Sequence, residues 1–169
     1  FSAGTEKIPN VDLNLEDYTM LYRLVENNQK PVIKVIATSK EHGDVPTFNT
    51  IGMIKGVEKP EEYVMLSAHF DSWDGGQGTT DNGTGSIVML EAMRILKKLY
   101  PNPKRTIMVG HWGSEEQGLN GSRAFVEDYP SIVDNIQALF NQDNGTGRVV
   151  DLSGSGFLHS YDYLSRWLA

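Results

Sequence analysis

Cysteine is absent from the 169 residues, and histidine occurs only four times. The first absence excludes disulfides and thiolate zinc sites, so any metal must be held by His, Asp and Glu. Basic charge is also short. Fifteen Lys and Arg face 22 Asp and Glu, leaving a formal charge of −7 and a pI near 5.0. That balance argues against nucleic acid or an anionic membrane surface as partner, because both are bound through clustered Lys and Arg. The densest basic group, Lys97, Lys98, Lys104 and Arg105, reads as a solvated helix end and the strand entry after it. No apolar run approaches the ~20 residues of a membrane span. An initial methionine and a signal peptide are missing as well. The chain opens on Phe1 and closes inside a helical pattern that sets Tyr161, Leu164, Trp167 and Leu168 on one face, so a longer parent, cut at both ends, is expected.

What is present suits a globular α/β chain of about one domain. Hydrophobic residues make up 39% and charged residues 22%, with a mean hydropathy of −0.36. Neither repeats nor low-complexity tracts occur. Val11 to Asn27 reads as a helix capped by Asn14, with Leu21, Leu24 and Val25 along its apolar face. Pro31 to Ser39 and Asn49 to Val57 read as strands. A turn at Lys59 to Glu62 should precede Tyr63 to Phe70, whose near-continuous apolar character fits a strand buried on both faces. Gly85 to Leu99 is the strongest helix, with Ile87, Leu90, Met93, Ile95, Leu96 and Leu99 as its stripe. Arg105 to Ser114 and Asn135 to Asp143 are the next strands, separated by a loop and a helix. This alternation predicts a mainly parallel mixed sheet flanked by helices, with ligands beyond the carboxyl ends of its strands.

Acidic residues cluster at those ends each time. His69-Phe-Asp71 closes one strand, Ser114-Glu-Glu-Gln-Gly the next, and Asn141-Gln-Asp143 the third. The connection HFDSWDGGQGTTDNGTG spends one histidine, three aspartates and five glycines where a turn needs little more than one glycine and one aspartate. Divalent ions take carboxylate oxygens and imidazole nitrogens, and two ions ~3.5–4 Å apart need a bridging carboxylate. The candidates are His69, Asp71, Asp74, Asp81, Glu115, Glu116 and Asp143. Singly, each has a plainer role: Asp81 as a helix cap, His69 as a hydrogen-bonded strand end, Glu115 and Glu116 as a solvated pair. Their convergence on one rim is what points to a divalent-metal site. Trp73 and Trp112 flank the cluster, as packing residues or, alternatively, as contacts to substrate. Asn82, Asn120 and Asn144 begin glycosylation sequons that tight-turn chemistry explains as well.

HFDSWDGGQGTTDNGTG, GSEEQGLNGS and NQDNGTG resemble the catalytic loops of the zinc-dependent exopeptidases, the family of bacterial aminopeptidases and glutamate carboxypeptidases. The combination H-x-DSWD-x-GQG, PKRT and W-x-x-EEQG is most similar to its plasma glutamate carboxypeptidase branch. The likeness runs from about Asn49 to the end and implies residues 41–169 as part of the catalytic core. Residues 1–40 resemble the tail of a protease-associated insert. Carried over by position, the resemblance implies that His69 and Asp143 bind one zinc, Glu116 the other, and Asp81 both. Glu115 would be the general base, and Asp71 would hydrogen-bond His69 from behind. It further implies a cis Asp81-Asn82 peptide, a short peptide as substrate, an extracellular or periplasmic location, and a fold of the phosphorylase/hydrolase-like sandwich type incomplete at its C-terminal end.

One departure matters. The family takes a further zinc-binding histidine from a loop well beyond the third strand, and only His159 follows Asp143, without a matching motif. Two zinc ions are therefore expected in the complete site, with one weak or absent in these 169 residues. His42 reads as a surface residue and His111 as packed core, and the end helix allows association with a second copy. Two rival readings share the fold: a single-zinc acyltransferase like glutaminyl cyclase, against which the HxD and EEQG pairing argues, and a non-catalytic interaction domain, which would have lost the metal ligands present here.

Overall fold

Strand-forming runs alternate with one long helical pattern between Asn49 and Asp143, and the structure follows that alternation. The computed structural model describes residues 11–36, 38, 40, 42–154 and 156–168, in two compact units, Phe1–Thr47 and Phe48–Ala169. In the first unit, helix α1 spans Leu15–Glu26. Asn14 caps it by accepting from the Asp17 amide at 2.9 Å, and Glu16 and Asp17 suit the positive end of the helix. Leu21 and Leu24 are half-buried while Val25 is exposed. Residues 31–36 and 38 form no strand, contrary to expectation, and Ala37 and Ser39 lie outside the described residues. The β-branched run Val32-Ile33 and Val35-Ile36 has the composition of a strand, but a strand exists only when its backbone groups find a paired edge.

The second unit holds a four-stranded sheet in the order β1-β3-β2-β4, from β1 (Thr50–Ile54), β2 (Lys59–His69), β3 (Arg105–Trp112) and β4 (Ile136–Asn141). β2 runs parallel to both β3 and β4, whereas β1 is antiparallel to β3. The expected turn at Lys59 to Glu62 is instead the first part of β2, with a register shift before Tyr63. Proline lacks a donor but keeps its carbonyl, and Thr106 Oγ1 donates to Pro60 O at 2.7 Å, so the irregular start of the strand still has its partner. Glu62 holds both Lys59 and Arg105 there, and those cations keep its carboxyl below the usual range.

Side chains alternate across β2. Met65 joins Met108, Trp112 and Phe125 on one face, covered by helices α3 (Asn120–Asp128) and α4 (Pro130–Val133); Ala68 joins Val109 and Met89 on the other, covered by α2 (Gly83–Leu99). The expected stripe of α2 is only partly the buried one. Met93 and Leu96 turn inward, yet Ile87 and Leu99 are 67% and 64% exposed, and Leu90 and Ile95 are exposed as well. Small residues near the helix start set the rotation instead. A side chain at Gly85 would overlap the Asn82 side chain and Gln142 O, and Ser86 Oγ donates to His69 O at 2.9 Å. Along β4 alternate residues are exposed, as on a strand covered on one face. Helix α5 (Ser160–Leu168) leaves Tyr161, Trp167 and Leu168 exposed, and Trp167 meets Phe140 with ring centres 5.9 Å apart. Among the described residues no helix is long and apolar enough to cross a membrane.

Candidate metal centre

Parallel strands end at the same rim, so the residues that close β2, β3 and β4 meet although they are far apart in sequence. His69 is the last residue of β2 and is 2% exposed. Its Nδ1 lies 3.0 Å from the backbone oxygen of Asp71, which selects the tautomer with the proton on Nδ1 and turns the Nε2 lone pair outward. Nε2 then faces two carboxylates, Asp81 Oδ1 at 2.9 Å and Asp143 Oδ1 at 3.1 Å. Two overlapping triads share this imidazole, each with its ligand atoms mutually within 4.8 Å: His69 with Asp81 and Glu116, and His69 with Glu115 and Asp143.

Asp81 was the obvious helix cap, but Asn82 takes that role. Asn82 Oδ1 accepts from the Gly85 amide at 3.0 Å, its Nδ2 donates to Gln142 O at 2.8 Å, and the Asp81-Asn82 peptide is cis. Asp81 therefore keeps its carboxylate for His69. The buried and bonded Asn82 amide also explains its sequon as turn chemistry. Asp71 sits behind His69, though not by the contact that the resemblance implied. Its Oδ1 is 3.6 Å from His69 Nδ1, and its carboxylate instead accepts from the amides of Glu115 at 2.9 Å and Glu116 at 3.2 Å. Asp74 enters neither triad and is exposed, as is His159; His42 lies in the other unit.

Five carboxyl groups thus surround one imidazole. Burial works against a charged His69, yet the charges of Asp143 and Glu115 and the hydrogen bonds of Asp81 and Asp143 outweigh it and hold its pKa above the ordinary value. Glu115 is pushed up by burial and by Asp143, Asp71 and Asp81, against the pull of His69. Burial and then Asp81 raise Glu116 as well. Its Oε1 is buried without a hydrogen-bond partner. A carboxylate oxygen left so is costly unless a cation meets it. A set of one imidazole and several carboxylates fits zinc or another hard to borderline divalent ion. Beside the triads, His69, Glu115 and Asp143 border a cavity of about 310 Å³ whose depth is apolar, with Leu119, Phe125 and Val133 among its walls.

Sequence reasoning missed two side chains that organise this rim. Asn82 was legible as a preferred cap residue directly before a helical pattern. Asn49, which bonds Gly113 and Gly121, carries no local signal.

The chain is similar to known peptidases. Carboxypeptidase Q of Rattus norvegicus is 36% identical over 146 residues, 86% of this chain and 31% of that protein; the Homo sapiens protein is 35% identical over the same length. The chain thus spans about a third of the length of these curated relatives. A Peptidase M28 precursor from Shewanella amazonensis superposes on 79% of this chain and 30% of its own with a TM-score of 0.68 at 24% identity, which shows the shared fold. A zinc aminopeptidase from Bacillus subtilis superposes on 56% of this chain and 23% of its own, with a TM-score of 0.51 at 35% identity. The profile described as Peptidase family M28 matches residues 49–160, from the start of β1 to the start of α5 and across every rim loop described above, and the chain belongs to that family.

Proposed function

We propose that this chain carries the metal centre of a zinc exopeptidase that removes terminal residues from short peptides or splits dipeptides, in an extracellular or periplasmic setting. The observation that carries the reading is the buried, unpartnered Glu116 Oε1 beside the His69 and Asp81 side chains. Two zinc ions are proposed for the complete site, with His69 and Asp143 holding one, Glu116 the other, and Asp81 shared. Zinc, when bound, supplies a Lewis acid that polarises a carbonyl and lowers the pKa of water.

The protein's own residues do the rest. Asp71 O holds the His69 proton on Nδ1, so that Nε2 remains a ligand atom. Glu115 is the base. It borders the cavity together with His69 and Asp143, and as the uncoordinated carboxylate it can take a proton from water and return it to the leaving amine. The division between the paired glutamates is chemical: an acid occupied by a cation shuttles protons poorly, so one member of the pair must stay uncoordinated.

The test is Glu115→Gln in the intact protein, assayed with a dipeptide series and by metal analysis. Turnover should fall by about 10²- to 10⁴-fold, the usual worth of a general base, while zinc content stays at the wild-type level. Turnover within threefold of wild type would remove Glu115 from this role.

A further inference from the structure

We infer that Asn49 is a positioning residue: its side-chain amide ties together the two glycine ends of the loop that carries Glu115 and Glu116, and Asp71 holds the tip. The inference rests on the roles proposed above for those two acids.

The loop leaves β3 at Gly113 and enters the first turn of α3 at Gly121. Its ends meet directly, Gly121 N–H donating to Gly113 O at 3.0 Å. Asn49 then bonds both ends at once. Its Oδ1 accepts from Gly113 N–H at 3.1 Å, and its Nδ2 donates to Gly121 O at 2.8 Å. Asn49 precedes Thr50, whose register partner His111 is the last that β1 pairs on β3. The side-chain amide therefore extends the β1-β3 ladder past its end, standing in for a further peptide group. No side chain fits at Gly121, where a Cβ would overlap Asn49 Oδ1 and Gly113 O.

The rest of the loop shows why two outside ties are needed. Ser114 and Leu119 have φ of 55° and 62°, a left-handed conformation that non-glycine residues rarely adopt. Such conformations persist only where the surroundings over-determine them. Inside the loop, the amides of Gly118 and Leu119 each donate to Glu115 O at 2.8 Å, and Asn120 N–H donates to Ser114 O at 3.0 Å. Those bonds fix the loop's shape but not its place. Its place over His69 comes from Asn49 at the neck and Asp71 at the Glu115 and Glu116 amides. Misplacing a reacting group by ~1 Å costs on the order of 10²-fold in rate, so a neck tie remote from the acids is felt by them.

The experiment uses the intact protein with Asn49→Ala and Asn49→Asp. In the metal-stripped state, amide hydrogen exchange is read at Gly113, Glu115 and Glu116; in the zinc-loaded state, kcat and KM for a dipeptide are measured per bound zinc, alongside the melting temperature. Asn49→Ala should speed exchange at all three amides at least tenfold and lower kcat by roughly 10- to 100-fold, the scale of other outer-shell partners, with KM within threefold. Asn49→Asp keeps the acceptor for Gly113 N–H but sets an oxygen against Gly121 O. It should retain protection at Gly113 and still lose kcat, and it carries the test if the alanine variant does not fold. A lower melting temperature with kcat per zinc unchanged in both variants would reduce Asn49 to a sheet tie and overturn the inference. Should the wild type hydrolyse no dipeptide, the peptidase reading fails, and exchange alone decides: unchanged protection at Glu115 and Glu116 in Asn49→Ala overturns the positioning role.

Discussion

His69 is the last residue of β2 and His111 the last but one of β3, one register step apart, since His111 pairs with Ala68 and His69 with Trp112. Both are nearly inaccessible, at 2% and 5% exposure. Yet His69 has a partner at each nitrogen, a backbone carbonyl on Nδ1 and two carboxylates on Nε2. His111 has none at either nitrogen and packs edge-on against Phe70, ring centres 6.0 Å apart. The period of two along a strand makes the difference. His69 points to the face where the three rim loops converge, His111 to the α2 face among Ala68 and Val109. Burial alone therefore says nothing of function; what distinguishes a ligand from a core residue is the charge its neighbours bring.

Substituting each histidine in turn should break the symmetry most sharply. In the intact protein, His69→Ala should lower dipeptide turnover by more than the roughly 10- to 100-fold that an outer-shell residue is worth, while His111→Leu leaves it within about twofold. Equal losses from the two variants would show that both act through the fold.

The pH dependence of the metal-free protein should separate them next, because their pKa values move in opposite directions. Burial lowers that of His111. Its contribution to stability is full above about pH 6.5, the unfolded value, and is lost as pH falls towards the lower folded value. His69 is raised, so its contribution is full below about 6.5 and is lost as pH rises through the folded value. Urea unfolding between pH 5 and 8 should show His111→Leu flattening the acid side and His69→Ala flattening the neutral to alkaline side. At pH 7, removing two unsatisfied ring nitrogens should also make His111→Leu no less stable than wild type and up to about 1–3 kcal/mol more so.

The smallest effect is expected at His159. It is exposed and belongs to neither triad, so His159→Ala should change zinc affinity less than twofold in a chelator competition. A larger loss would bring it into the site.

How far the sequence foretells these differences varies with the physics involved. The three strand-end clusters were legible because parallel strands must deliver their carboxyl ends to one rim, and His69, Asp81, Glu115, Glu116 and Asp143 indeed converge there. His111 was legible as core from its apolar strand. The rotation of α2 was not, since close approach at Gly85 and the bond from Ser86 to His69 O outrank the hydrophobic stripe. Residues 31–36 misled because pairing, rather than composition, makes a strand. The partner of the Asp71 carboxylate depends on where the Glu115 and Glu116 amides come to rest, 44 and 45 residues away, and no local pattern encodes that distance.

The proposed metal centre depends on the carboxylates around His69, which the apolar surroundings of His111 lack. Zinc binding to the metal-stripped intact protein, measured in competition with a chromophoric chelator for wild type, His69→Ala and His111→Leu at pH 6 and pH 8, tests it most directly. Zinc must displace the proton that His69 holds with a raised pKa, so wild type and His111→Leu should bind alike and more tightly at pH 8, whereas His69→Ala should lose the tight site at both values. Retention of wild-type affinity by His69→Ala, or its loss in His111→Leu, would contradict the account.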